Sequence, residues 1–104
     1  MSDQHARSDE DAHRAAKRVR VVVSGQVQGV FFRAGCAKAA RARGVAGFVL
    51  NRPDGRVEAE FEGPPEDVDA MVEWCRHGTD WAEVESVDVT DLEPLGDTSF
   101  DVDR

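Results

Sequence analysis

Two segments carry residue types suited to holding phosphate. Residues 23–33, VSGQVQGVFFR, set Gly25 and Gly29 between a run of valines and an Ala/Arg-rich stretch, with Arg33 at the far end. Glycine lets a backbone turn tightly and approach a ligand, so consecutive N–H groups can face one concavity, and a helix starting there adds its positive N-terminal end. Arg33 stands in the first turn of that expected helix, where its planar fork can pair with two phosphate oxygens. Residues 47–63, GFVLNRPDGRVEAEFEG, put Asn51 at a strand end beside a turn. An uncharged amide can accept from a water while donating elsewhere, without the repulsion a carboxylate would bring to phosphate. Singly, the glycines are ordinary turn residues, Arg33 a surface arginine and Asn51 a hairpin cap. Only their joint occurrence points to chemistry.

The elements that must position these residues follow from periodicity. Val19, Val21 and Val23 alternate with Arg18, Arg20 and Val22, a half-buried strand pattern over 18–24. Residues 32–43 are rich in helix formers and Gly44 stops them. Pro53, Asp54 and Gly55 join residues 47–52 and 56–62 into a hairpin, because proline presets one turn dihedral and glycine supplies a positive one. Val57, Ala59 and Phe61 face one side and Glu58, Glu60 and Glu62 the other, which predicts a sheet wet on that second face. From Pro64 onward Val68, Met71, Val72 and Cys75 fall at i, i+3, i+4 and i+7, with acids in the first turn and Arg76 and His77 in the last. Residues 84–92 and 99–102 supply further strands, the former with imperfect alternation that suggests a bulge. The order is that of an α+β, ferredoxin-like split βαβ sandwich: βαββαβ plus a short last strand, an antiparallel sheet with two helices on one face. Phe31, Phe32, Phe48, Phe61, Phe100, Trp74 and Trp81 are read as core or helix-to-sheet packing.

Composition narrows the classes. A chain of 104 residues has room for one compact domain, expected over 18–104, after a polar tail over 1–17 with no large aliphatic or aromatic residue beyond Met1. Cys36 and Cys75 lack the spacing of a zinc site or a disulfide framework, and His5 and His13 in the tail lack companion ligands, so no metal and no cofactor are expected. With His77 the one histidine of the domain, a histidine-based catalytic arrangement is poorly supported. No apolar run approaches the roughly 18 residues of a membrane span, and the polar start has no signal-peptide core, so a soluble, cytoplasmic protein is expected. The net charge of −8 argues against binding duplex nucleic acid. Residues 18–56 nevertheless carry eight Arg or Lys against one acid, whereas residues 57–104 carry two against sixteen, which puts anion handling in the first half.

At the two phosphate-suited segments the chain resembles the acylphosphatase family. The first signature, G-x-V-Q-G-V-x-F-R, is matched by Gly25, Val27, Gln28, Gly29, Val30, Phe32 and Arg33; the second by Gly47, Phe48, Val49, Asn51, Gly55, Val57 and Gly63. The resemblance extends over residues 19–103. It implies that Gln26, Val27, Gln28, Gly29 and Val30 bind phosphate through backbone amides, that Arg33 clamps it and that Asn51 orients the attacking water. It further implies an acyl phosphate as small-molecule substrate, hydrolysed to a carboxylate and inorganic phosphate. Leu50 departs from the basic or polar residue usual in the family, and residues 78–84 lack a common proline.

Such a reaction suits a chain without an evident general acid. The leaving carboxylate has a conjugate acid of pKa about 4 to 5, so it departs unprotonated, and a phosphate oxygen can take the water's proton. Positioning and charge stabilisation then carry the catalysis. A non-catalytic phosphate- or anion-binding regulatory domain is the alternative, opposed by the presence of both Arg33 and Asn51. An RNA-binding sheet of the same topology would need exposed aromatics on central strands, where this chain has glutamates. A monomer is expected.

Overall fold

The computed structural model describes residues 16–103, which leaves out residues 1–15 of the expected tail, with His5 and His13. The elements are β1 (Lys17–Gln26), α1 (Phe32–Ala42), β2 (Ala46–Asn51), β3 (Val57–Gly63), α2 (Pro65–His77), β4 (Glu83–Leu92) and β5 (Phe100–Val102). This is the ferredoxin-like α+β order expected, with β1 starting one residue earlier at Lys17.

The strands lie in the order β4-β1-β3-β2-β5. One face carries Val19, Val21, Val23, Val49, Val57, Ala59 and Phe61, and both helices close over it with Phe32, Cys36, Ala40, Val68, Met71 and Cys75 to form a single buried cluster. Each large apolar side chain buried there contributes about 1.5–3 kcal/mol relative to exposure. The glycine after α1 has φ 70° and ends the helix as read from sequence, and α2 closes with Arg76 and His77 at its negative end. Cys36 and Cys75 are free thiols buried between the helices. The neighbouring Cys75 thiol and burial together push the Cys36 thiol well above its ordinary range.

Three expectations need correction. The four longer strands are antiparallel, but β5 pairs parallel to β2, Gly47 with Phe100 through Val49 with Val102. The reason is topological: β4 and β5 occupy opposite edges, so residues 93–99 cross under one end of the sheet and the chain turns back in the direction of β2. That crossing also dries one end of the outer face expected to be wet, while Arg20, Asp88 and Thr90 stay exposed. Arg18, Glu60 and Glu62 are 2%, 7% and 7% exposed, because Arg18 donates to Glu60, Glu62 and Asp97 while the N–H groups of Leu95 and Gly96 donate to Glu62. Finally, Phe31 and Trp81 are exposed rather than packed in the core. The bulge expected in β4 is present: its register against β1 slips at Ser24/Gly25, leaving Glu85 without a partner.

Candidate active site

Where β1 ends, the chain is forced into conformations that set up the site. Gly25, with φ 123°, runs so close to β4 that a Cβ there would strike the backbone carbonyl of Glu83. Gly29 has φ 76° and open space around it, so the backbone itself is the surface presented. Phe31, at the N-cap of α1, is left-handed with φ 63°. Among the described residues no protein acceptor takes a backbone N–H from residues 27–31. The first turn of α1 has neither a side-chain cap nor an acidic residue, whereas α2 has Glu66 and Asp67 there. A loop and helix start whose N–H groups have no acceptor among the described residues, with no acid in the helix's first turn, suit an anion.

Two side-chain contacts fix the loop. Gln28 Nε2 donates to the carbonyl oxygens of Arg52 and Arg56, both at 2.8 Å, fastening the loop to the β2–β3 hairpin. Thr79 Oγ1 donates to the Val30 carbonyl at 2.7 Å, holding the other side. The hairpin is set in turn by Arg52 N–H donating to the Arg56 carbonyl at 2.8 Å and by Asp54 accepting from the Arg56 N–H.

Arg33 and Asn51 open onto a cleft of about 520 Å³ whose lining includes Val27, Gly29, Phe31 and Val102. Arg33 Nη1 donates to the Asp103 carbonyl at 2.7 Å, and among the described residues no carboxylate lies within ion-pairing reach of it. The guanidinium is thus aimed by a neutral backbone acceptor and keeps its charge and most of its donors for the cleft. Asn51 closes β2 opposite Val57, and its Oδ1 is buried without a donor from any described residue. A buried acceptor left unmatched costs about 1–3 kcal/mol. Among the described residues no group of three or more His, Cys, Asp or Glu is placed to hold a metal ion.

Of the residues singled out from sequence, Val27, Gly29, Arg33 and Asn51 share the cleft lining. Gln26, Gln28 and Val30 stand outside it: Gln26 is the exposed end of β1, Gln28 reaches the hairpin and Val30 packs against the core. Leu50, on the outer face opposite Glu58, is likewise not among the lining residues. Sequence reasoning missed Asp103, whose carbonyl orients Arg33, and Arg41, which lines the cleft while donating to the Phe100 carbonyl through Nε and Nη2. The spacing of Arg33 and Arg41, two helical turns apart, was the available signal for the second of these. A backbone carbonyl carries no signal in sequence.

Fold and site together define a ferredoxin-like domain in which a glycine loop, a helix start and a hairpin surround one cleft. The acylphosphatase family model matches residues 19–102. An acylphosphatase of Haloquadratum walsbyi is 53% identical over 87 residues, covering 84% of this chain and 94% of its own. One of Gloeobacter violaceus is 53% identical over 89 residues, covering 86% and 96%. The crystal structure of the Bacillus subtilis acylphosphatase superposes with a TM-score of 0.81 at 37% identity, covering 85% of this chain and 99% of that one. The chain belongs to the acylphosphatase family and is a hydrolase of acyl phosphates.

Proposed function

We propose that hydrolysis takes place in this cleft, with phosphate in the cradle of residues 26–30, Arg33 as charge clamp and Asn51 as holder of the attacking water. The observation that carries the reading is that Gly29, Arg33 and Asn51 line one cleft, with the Asn51 Oδ1 a buried acceptor to which no described residue donates. A water accepted there gives Oδ1 its hydrogen bond and is held close to the bound phosphorus. Attack forms a new P–O bond in line as the P–O bond to the carboxyl oxygen breaks. The carboxylate leaves with the bonding pair, and a phosphate oxygen receives the water's second proton. Arg33 and the free N–H groups of the loop and of the α1 start hold the equatorial oxygens, where the charge of the loose transition state is spread. No side chain has to exchange a proton.

The same reading takes residues 18–104 as the catalytic domain and residues 1–17 as a tail without part in the reaction. It also takes the protein as a cytoplasmic monomer without cofactor or nucleic-acid partner. Its support is the family match beginning at residue 19 and a chain whose net charge is −8. No described helix is long and apolar enough to cross a membrane. The test is phosphate release from benzoyl phosphate and acetyl phosphate by purified protein with chelator present. Turnover unchanged by chelator is expected; loss restored by a divalent ion would refute a mechanism run by side chains and backbone alone.

A further inference from the structure

Phe31 and Trp81 are the two described aromatic residues whose rings stand mostly in solvent, 70% and 66% exposed. Their rings meet edge to face with centroids 5.6 Å apart. Phe31 is also the one described residue other than glycine with positive φ, a conformation that costs about 1–2 kcal/mol for a side chain without a local hydrogen bond. That left-handed turn separates two consecutive phenylalanines. Phe32 goes into the core against Trp74, centroids 5.1 Å apart, while Phe31 stands at the cleft among its lining residues. Strain and exposed apolar surface at the same residue, next to a reacting centre, mark a functional position.

The topology says which side of the reaction the rings serve. Trp81 lies in the segment leading into β4, and Thr79 of that segment bonds the Val30 carbonyl, so the pair sits on the β4–β1 side of the phosphate loop. Asn51 ends β2, which β1 and β3 separate from β4. In-line displacement puts the attacking water and the leaving group on opposite sides of phosphorus. With water at Asn51, the carboxylate therefore departs toward Phe31 and Trp81. Resting on the reading above, we infer that these two rings form a shelf for the acyl group and select acyl phosphates whose acyl part is aromatic or bulky and apolar. An exposed edge-to-face pair offers such a group both apolar contact and ring stacking, whereas an acetyl group is too small to use it.

The test is the ratio of kcat/KM for benzoyl phosphate to that for acetyl phosphate in the full-length wild type, Phe31→Ala, Phe31→Tyr and Trp81→Ala. The ratio falls about tenfold in Phe31→Ala and about threefold in Trp81→Ala, and stays within about twofold in Phe31→Tyr. An unchanged ratio in both alanine variants, or equal losses on the two substrates, overturns the shelf. If Phe31→Ala shows no cooperative melting, the Trp81→Ala ratio decides alone. Conversion of a dimer to a monomer by Trp81→Ala with an unchanged ratio assigns the rings to a second copy of the chain and also overturns it. Were Asn51→Ala to hydrolyse both substrates normally, the reading of the water's position would fail whatever the ratios showed.

Discussion

The two ends of β1 treat an arginine in opposite ways. At its start, Arg18 is 2% exposed and faces Glu60, Glu62 and Asp97, with N···O distances of 2.7–2.9 Å. Burial works against its charge, but the bonds to Glu62, Asp97 and Glu60 outweigh it and raise its pKa. Just beyond the other end of β1, Arg33 has a carbonyl for a partner, while Asn51 Oδ1 and the loop N–H groups have no partner among the described residues. One end has its polar groups matched by protein, and so holds the crossing segment 93–99 to the sheet. The other leaves charge and hydrogen-bonding capacity unmatched among the described residues, and in the proposed function a ligand with three anionic oxygens completes it. Polar accounting, rather than residue type, separates the arginine enclosed in the fold from the one proposed to work.

The comparison is broken most severely at the working end. Arg33→Ala and Asn51→Ala each lower kcat by about 10²–10³-fold or more, the scale set by losing one stabilising donor in another hydrolase. They part on inhibition by inorganic phosphate: Arg33→Ala abolishes most of it, while Asn51→Ala keeps it within a few fold, since the clamp touches phosphate and the amide touches water. Equal loss of phosphate inhibition in the two variants would erase the division of labour. Neither variant lowers the melting temperature appreciably, since Arg33→Ala gives up one exposed bond to the Asp103 carbonyl and Asn51 Oδ1 has no donor among the described residues to lose.

At the other end the effect moves from rate to stability. Arg18→Met leaves Glu62 buried without its cation and Glu60 with Arg20 alone, at 3.3 Å, and destabilises by about 3 kcal/mol, or roughly 12 °C in a domain of this size, read by thermal unfolding. Turnover per folded molecule stays at the wild-type value. A variant of normal stability would show that Arg18 is solvated in solution rather than enclosed.

Between the ends lies Gln28, a residue of the working loop whose amide does a structural job. Gln28→Ala frees the loop from the hairpin carbonyls of Arg52 and Arg56. It lowers kcat about ten- to a hundredfold, the cost of two net hydrogen bonds expressed as misplacement. A larger fall in melting temperature than in rate would move Gln28 to the stabilising side of the comparison.

The smallest effect is one of pH. Burial raises the Glu62 pKa, but the Leu95 N–H, Arg18 and the Gly96 N–H together hold it below its ordinary 4.5. Because the folded value is depressed, the stability contributed by Glu62 is whole above about pH 4.5 and is lost as pH falls through the folded value. The stability gap between wild type and Glu62→Gln therefore narrows on acidification below that point, measured by denaturant unfolding across pH. A gap that widens would reverse the assigned sign.

The chain's local chemistry was written plainly in its residues. Alternating valines, the Pro-Asp-Gly turn and the i, i+3, i+4, i+7 stripe of α2 declare their elements because each needs only its neighbours in sequence to choose a backbone. Arg33 and Asn51 were singled out for a similar reason, their types and their glycine-marked surroundings, and the structure brings both to one cleft. What depends on residues far apart was not legible. Alternation predicted solvent for Arg18, Glu60 and Glu62, and only the crossing of residues 93–99, some thirty positions away or more, buries them. The parallel pairing of β5 follows from which edge remained free, and the Asp103 carbonyl aims Arg33 across a separation of 70 residues. The two phenylalanines at 31 and 32 look alike in sequence, and it took one left-handed residue at the start of α1 to send one ring into the core and leave the other in the cleft. Sequence determines which groups a protein has and the local geometry they favour. Which of those groups are matched by others and which are left free for a substrate is decided by packing, because it depends on the partners that folding brings together.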